Sequence, residues 1–323
     1  DADARAQWAA RVSAPMLAGA FAVAWEWENT ALTAELIEYH SARGSFSTDS
    51  NAEPEAAIWA GRRYYKRKDI HINDFYYESY SNFDGYGLGV ENIALSYGTL
   101  SVAGFRERFN RVHTYDARLE NIALAENWTG EIGVAFADAR GDATGDNGIA
   151  LRGHVQRDGF FGGYMKASLM YSNGAAFGFS ADGAPDVGKD RSLLRAQMHG
   201  LVPLDDRTEL FFVALHQIDD NDGEQSKWTS LGLRPHYALS DNFAIATEIG
   251  YDRVSDDSGD RDLLKGTLAG IYTFGQSGFW DRPQLRAYVT RGSWSDVGAI
   301  SKQEAYGTNT AGTTVGLQLE TWF

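Results

Sequence analysis

Alternation of apolar and polar residues, sustained over runs of roughly 10–13 residues, constrains this chain more than any other feature. At the C-terminus Val315, Leu317, Leu319, Thr321 and Phe323 fall on one face of an extended chain. Thr314, Gly316, Gln318, Glu320 and Trp322 fall on the other. Leu285, Ala287 and Val289 oppose Arg286, Tyr288, Thr290, Gly292 and Trp294 in the same way. Phe243, Ile245, Thr247, Ile249 and Tyr251 oppose Ala244, Ala246, Glu248, Gly250 and Asp252, and Phe211, Val213 and Leu215 oppose Phe212, Ala214 and His216. Helical periodicity is scarce. Runs this long suit a tilted strand crossing a bilayer better than the short strands of soluble sheets. About 18 such runs occupy nearly the whole chain. No linker or shift in composition divides them, so residues 1–323 read as one domain.

The connections alternate in size. Glu28-Asn29-Thr30, Tyr97-Gly98-Thr99, Ala125-Glu126-Asn127, Pro203-Leu204-Asp205 and Leu239-Ser240-Asp241 read as tight turns. Residues 67–85, 140–146, 172–190, 219–226, 255–262 and 295–310 read as roomier loops rich in Asp, Gly, Ser and Asn. Short turns on one side and long loops on the other are the geometry of an outer-membrane β-barrel. No run approaches the ~18–20 apolar residues of a spanning helix, but a barrel needs none. The 35 Gly, 6 Pro and 42 aromatics suit it. A soluble β-sandwich would need shorter strands and more turns. The expected fold is therefore all-β: a transmembrane antiparallel barrel of about 18 strands. Asp1 is preceded by no basic or apolar leader, so a secretory signal is expected to have been removed.

Composition excludes several functions. A net charge of −15 opposes a phosphate backbone, so no nucleic-acid partner is expected. The chain has no cysteine, which removes disulfides, thiolate zinc sites and cysteine nucleophiles. Seven histidines (His40, His71, His113, His154, His199, His216, His236) show no paired metal-ligand spacing. His216 and Asp219 have no matching serine, so an enzyme is not expected. The acidic runs at Asp219, Asp220, Asp222 and at Asp256, Asp257, Asp260 lack EF-hand spacing and read as solvated loops. Gly85-Tyr86-Gly87-Leu88-Gly89 imitates a nucleotide loop but leads into a strand. No cofactor or metal is implied.

In a large barrel the apolar set faces lipid and the mixed polar set faces the lumen. That parity puts Trp294 and Trp322 on the lumen side with Arg234, Glu248, Asp252 and Arg286. Tyr237, Tyr251 and Phe323 fit the interfacial girdles instead. Aromatic faces in an aqueous channel stack on the apolar face of a sugar ring, while ionised groups exchange hydrogen bonds with its hydroxyls.

Several stretches carry a family resemblance. Ile58-Trp59-Ala60-Gly61-Arg62-Arg63-Tyr64-Tyr65, Asp69-Ile70-His71-Ile72, Asp74-Phe75-Tyr76-Tyr77 and residues 88–95 resemble the maltoporin, or sugar-specific porin, family. So do Lys227-Trp228-Thr229, Gly232-Leu233-Arg234-Pro235, Glu248 through Asp252, Trp280 through Pro283 and Glu320-Thr321-Trp322-Phe323, in order over roughly residues 55–323. The resemblance implies trimers of outer-membrane barrels among lipid and lipopolysaccharide, passing oligosaccharides along an aromatic slide flanked by ionic residues. It implies that residues 67–85 are an inward-folded constriction loop, with Tyr76 opposing the slide and Asp74 and Arg67 as ionic contacts. Trp294, Trp322 and Phe177 match slide residues, and Arg43 and Arg11 match constriction arginines. A slide aromatic is expected near Trp8; if Arg11 faces the lumen, only a bulge lets Trp8 do so too. The second extracellular loop is cut to about His40–Gly44, and the chain is shorter than typical members. The expected function is facilitated diffusion of maltooligosaccharide-like or other sugars; the alternatives are a general diffusion porin and a non-channel barrel.

Overall fold

The computed structural model describes residues 23–28, 31–36, 41–46, 56–65, 69–72, 75–78, 83–107, 112–140, 143–179, 183–295, 306 and 309–320. Side chains are described at 56–61 and, within those ranges, from 85 onward. The chain begins with β1 (Val23–Glu28), β2 (Ala31–Leu36), β3 (Ser41–Phe46), β4 (Ala56–Tyr65), β5 (Asp69–Ile72) and β6 (Phe75–Glu78). The long strands follow: β7 (Phe83–Leu95), β8 (Gly98–Glu107), β9 (His113–Ala125), β10 (Trp128–Asp138), β11 (Gly148–Phe160) and β12 (Gly163–Asn173). After a short 3-10 segment, Gly174–Phe179, come β13 (Arg191–Pro203), β14 (Thr208–Asn221), β15 (Glu224–Ala238) and β16 (Phe243–Asp256). The last are β17 (Gly259–Thr273), β18 (Gln284–Trp294) and β19 (Ala311–Glu320).

One antiparallel sheet of 15 strands runs from β19 consecutively back to β7, then to β4 and β3. β1 pairs with β2 and β5 with β6 as separate ribbons. The described residues thus account for 15 strands in the one sheet, against the expected count of about 18. From β7 to β19 each strand pairs with its neighbour in the chain, and among the described residues no helix is long and apolar enough to cross a membrane.

Three boundaries differ from expectation. Residues 83–85 belong to β7, where Phe83 and Gly85 pair with Tyr65 and Arg63, so the 67–85 loop ends before Phe83. Residues 219–226 are mostly strand: Asn221 pairs with Glu224, leaving only Asp222 and Gly223 as the turn. Both have positive φ (55° and 92°), the backbone a two-residue hairpin turn demands, and Asp-Gly supplies it. Residues 255–262 are likewise strand around Asp257 and Ser258. Loop-like composition misled because polar residues line both faces where strands rise past the apolar band. At the opposite end the turns are short, as at Ser96-Tyr97, Glu126-Asn127 and Phe161-Gly162. The turn after Pro203 is pinned by Asp205, which accepts from Arg207 N at 2.8 Å and Thr208 Oγ1 at 2.9 Å. Those bonds hold its carboxyl below the usual range. Among the described connections at this end, residues 274–283, between β17 and β18, form a long one.

The two faces of the sheet are opposite in character. On one, Ile132, Val134, Leu151, Leu169, Leu231, Leu233, Ile249, Leu268, Val315 and Leu317 lie exposed. Leu317 is 72% exposed and Val315 75%, which no water-soluble surface of this size would tolerate. This apolar band is edged by rings. Near the short turns, Phe160 meets Phe161 at 4.7 Å, and Phe243, Tyr272 and Phe274 meet in sequence at 5.0 and 5.1 Å. Toward the roomier end Tyr86, Tyr115 and Phe136 are exposed on the same face. An apolar band between aromatic rings is the outer surface of a membrane barrel. On the other face, Glu91, Ser101, Asp116, Arg118, Glu120, Glu131, Arg152, Arg234, Glu248, Thr267, Arg286 and Thr290 are all buried.

One face assignment needs correcting. The apolar set Phe211, Val213 and Leu215 is expected to face lipid, yet all three lie on the buried face, with Phe211 fully buried. Phe211 pairs with Arg234, which shares that face. The reason is the 274–283 connection, whose Phe279 stacks on Phe211 at 5.0 Å and gives these positions an apolar partner.

Candidate functional site

The buried face collects the ionic and aromatic side chains in three groups. The first spans β9 to β11. Arg118 Nε donates to Asp116 Oδ1 at 2.7 Å, Arg152 bonds the other oxygen of Asp116, and His154 lies 3.7 Å from Glu131. Ser101 Oγ donates to Glu120 at 3.1 Å across β8 and β9. Alternation delivers these positions to one face because Asp116, Arg118 and Glu120 recur at a spacing of two.

The second group lies at the roomier end of β12 to β15. The Gly174–Phe179 segment folds back over the buried face, where Phe179 packs with Trp59, Phe105, Met170 and Leu193. Phe177 packs against this cluster and is only partly buried, with the Arg191 guanidinium 4.4 Å above its ring. Arg191 is held there by two bonds to Asp219, at 3.0 and 2.7 Å. A cation over a ring is attracted by about 0.5–2 kcal/mol, so this is a stacked pair rather than a bare aromatic. Trp228 Nε1 donates to Asp252 Oδ1 at 2.8 Å nearby in β15 and β16.

The third group is on β18 and β19. Trp294 shares the face of Arg286 and Thr290, and Tyr306 meets it edge-on at 5.4 Å and 62°. Tyr306 Oη and Thr314 Oγ1 are 2.6 Å apart. Both tyrosine rings here rest where β19 carries glycine. A Cβ on Gly312 would meet Tyr306 at 2.3 Å, and one on Gly316 would meet Tyr288 at 2.5 Å. At the other end of these strands, Arg286 of β18 and Arg282 of the preceding connection each reach Glu320, at 2.6 and 2.9 Å. Burial, opposed by Glu320, pushes the Arg282 guanidinium down to about 9.

Of the residues singled out from sequence, Trp294 and Phe177 are placed on the buried face, in separate groups, and Arg234, Glu248 and Arg286 share it. Tyr237 is exposed on the opposite face, as a girdle residue should be. Tyr76 pairs with His71 in the β5–β6 ribbon, and Arg43 pairs with Trp59 in the main sheet, in backbone terms. Trp8, Arg11, Arg67, Asp74, Trp322 and Phe323 lie outside the described residues. Sequence reasoning passes over several aromatics of the buried face, Trp228, Tyr288 and Tyr306 among them. Trp228 and Tyr288 have the parity of Arg234 and Arg286 and were open to the same argument. Tyr306, in a connection, carried no periodic signal. The acidic runs serve ion pairs instead, Asp219 with Arg191, Asp256 with Arg261 and Asp260 with Arg253. Among the described residues no group of three or more His, Asp or Glu is placed to hold a metal ion.

A family model, LamB porin, matches residues 14–323. Among solved structures, the chain is similar to an anion-selective porin from Comamonas acidovorans, at 11% identity and a TM-score of 0.50 over 86% of each chain. It is also similar to a loop-deletion mutant of OmpT, an outer membrane protein of Vibrio cholerae. That match has 11% identity and a TM-score of 0.45, covering 88% of this chain and 96% of the other.

Proposed function

The chain belongs to the LamB porin family and is a porin of the bacterial outer membrane, and from that premise we propose that it is a sugar-selective channel. In this reading the sheet closes on itself as a single barrel of about 18 strands, with the apolar face toward lipid and the buried face around the pore. Sugars pass by facilitated diffusion, held weakly at successive sites and released. Trp294 and Phe177 give stacking surfaces, with Trp322 and Tyr76 as further ones. Arg11, Arg43, Arg67 and Asp74 exchange hydrogen bonds with hydroxyls, residues 67–82 narrow the pore, and Trp8 joins the slide if a bulge turns it inward. The channel works as a homotrimer in lipid and lipopolysaccharide, and no step calls for an enzyme's nucleophile.

The observation that carries this reading is Trp294. A tryptophan that is only half-buried, on the polar face and edge-on to Tyr306, has no role in a lipid girdle. It offers an aromatic face on which a sugar ring can stack. A second reading, a general diffusion porin, is favoured by one observation: Arg191 already covers a face of Phe177.

Titrating glucose, sucrose and maltotriose into the ion current of the reconstituted protein separates the two. The sugar-selective reading expects concentration-dependent block. Trp294→Ala or Trp322→Ala should weaken that block about three- to tenfold, the worth of one stacking contact. A current indifferent to all three sugars would leave the general porin.

A further inference from the structure

The connection 274–283 is the long one among the described residues at the short-turn end, and it lies against the buried face instead of standing out from the sheet. It is rooted on β17 and β18, and Asn242 Nδ2 fixes its start by donating to Thr273 O at 3.0 Å and Gly275 O at 2.8 Å. Ser277 Oγ then donates to Ser240 O at 2.7 Å. Its tip reaches β14: Phe279 N donates to Glu209 Oε2 at 2.8 Å, and the Phe279 ring stacks on Phe211 at 5.0 Å and 12°. The Arg234 guanidinium of β15 lies 4.9 Å over the same ring. From β17 to β14 is three strand spacings, about 14 Å, so the segment crosses the inner wall rather than hugging its own root. The return is latched as well, Arg282 Nη1 donating to Phe279 O at 2.9 Å and Nη2 meeting Glu320 at 2.9 Å.

Ordering a stretch of backbone costs about 1–2 kcal/mol per residue. A connection needed only to turn the chain could be as short as its neighbours at Phe161-Gly162. This one is longer, with Phe279 1% exposed and Ser277 6% exposed, and the wall beneath it has become apolar to receive it. We propose that residues 274–283 form a fixed sill across the short-turn mouth of the pore, which sets the largest neutral carbohydrate able to leave at that end. This rests on the channel reading above. The sill is a size filter at the far end of the pore from the Phe177 and Trp294 groups, and distinct from the narrowing assigned to 67–82.

Two variants test it in the full chain: deletion of residues 275–280 with a short glycine link, and Phe279→Ala, which removes the tip's stacking alone. Single-channel conductance should rise about 1.5-fold or more in the deletion, since pore cross-section limits the current. Vesicle swelling should shift toward larger solutes, trisaccharides gaining more than monosaccharides, with Phe279→Ala shifted the same way by less. If the deletion fails to assemble, Phe279→Ala decides alone. Wild-type current with unchanged conductance and size cut-off in the variants would overturn the sill and leave the channel intact. Absence of current in the wild type would instead overturn the channel reading, and the sill with it.

Discussion

The buried faces of β9 to β11 and of β13 to β15 lie in one sheet, yet each is organised around a different kind of contact. The first is ionic, with Asp116 bonded to both Arg118 and Arg152, and the side chains of all three 1% exposed or less. The second carries an apolar patch, Leu201, Phe211, Val213 and Leu215 closed over by Phe279, beside the buried Arg234 and His236. Around Asp116 the buried charges satisfy one another across neighbouring strands. Where 274–283 lies over the face, apolar side chains bury area against apolar side chains. The buried face is thus ionic around Asp116 and gains its apolar patch at Phe211, where 274–283 lies over it.

The largest effect expected from breaking this contrast is at Asp116. Asp116→Ala leaves the Arg118 and Arg152 guanidiniums buried and facing each other, which should cost about 3–5 kcal/mol. Urea-driven unfolding from lipid vesicles would read it. Asp116→Asn, which keeps an acceptor, should cost less. Equal stability of Asp116→Ala and wild type would mean that the wall is wet enough to solvate both arginines. The second effect, about 3 kcal/mol, is expected for Phe211→Ala, at the lower end for a buried Phe because Phe279 can settle into the space. The same variant should loosen the sill, so a change in stability with no change in conductance would separate packing from pore width.

Much of this architecture is legible in the sequence. Alternation alone places Val315, Leu317 and Leu319 on the exposed face and Arg234, Glu248 and Arg286 on the buried one, because only one of the two sets could meet lipid. It fails at Phe211 and Phe212, where both faces are apolar: parity still divides them but no longer says which side is in. It fails also at Asp222-Gly223 and Asp257-Ser258, where polar strands rising beyond the lipid look like loops. The site divides the same way. Trp294 is found by parity, while Tyr306 and Phe279 sit in connections, where position is decided by distant partners such as Trp294 and Phe211.

The central claim is that the polar face surrounds water and the apolar face meets lipid. The chain has no cysteine, so single cysteines report without background. Trp228→Cys and Leu231→Cys lie on opposite faces of one strand, β15. With each variant conducting in a planar bilayer, a membrane-impermeant charged thiol reagent should step the current down for Trp228→Cys and leave Leu231→Cys unchanged. Current that responds at position 231 and not at 228 would contradict the account.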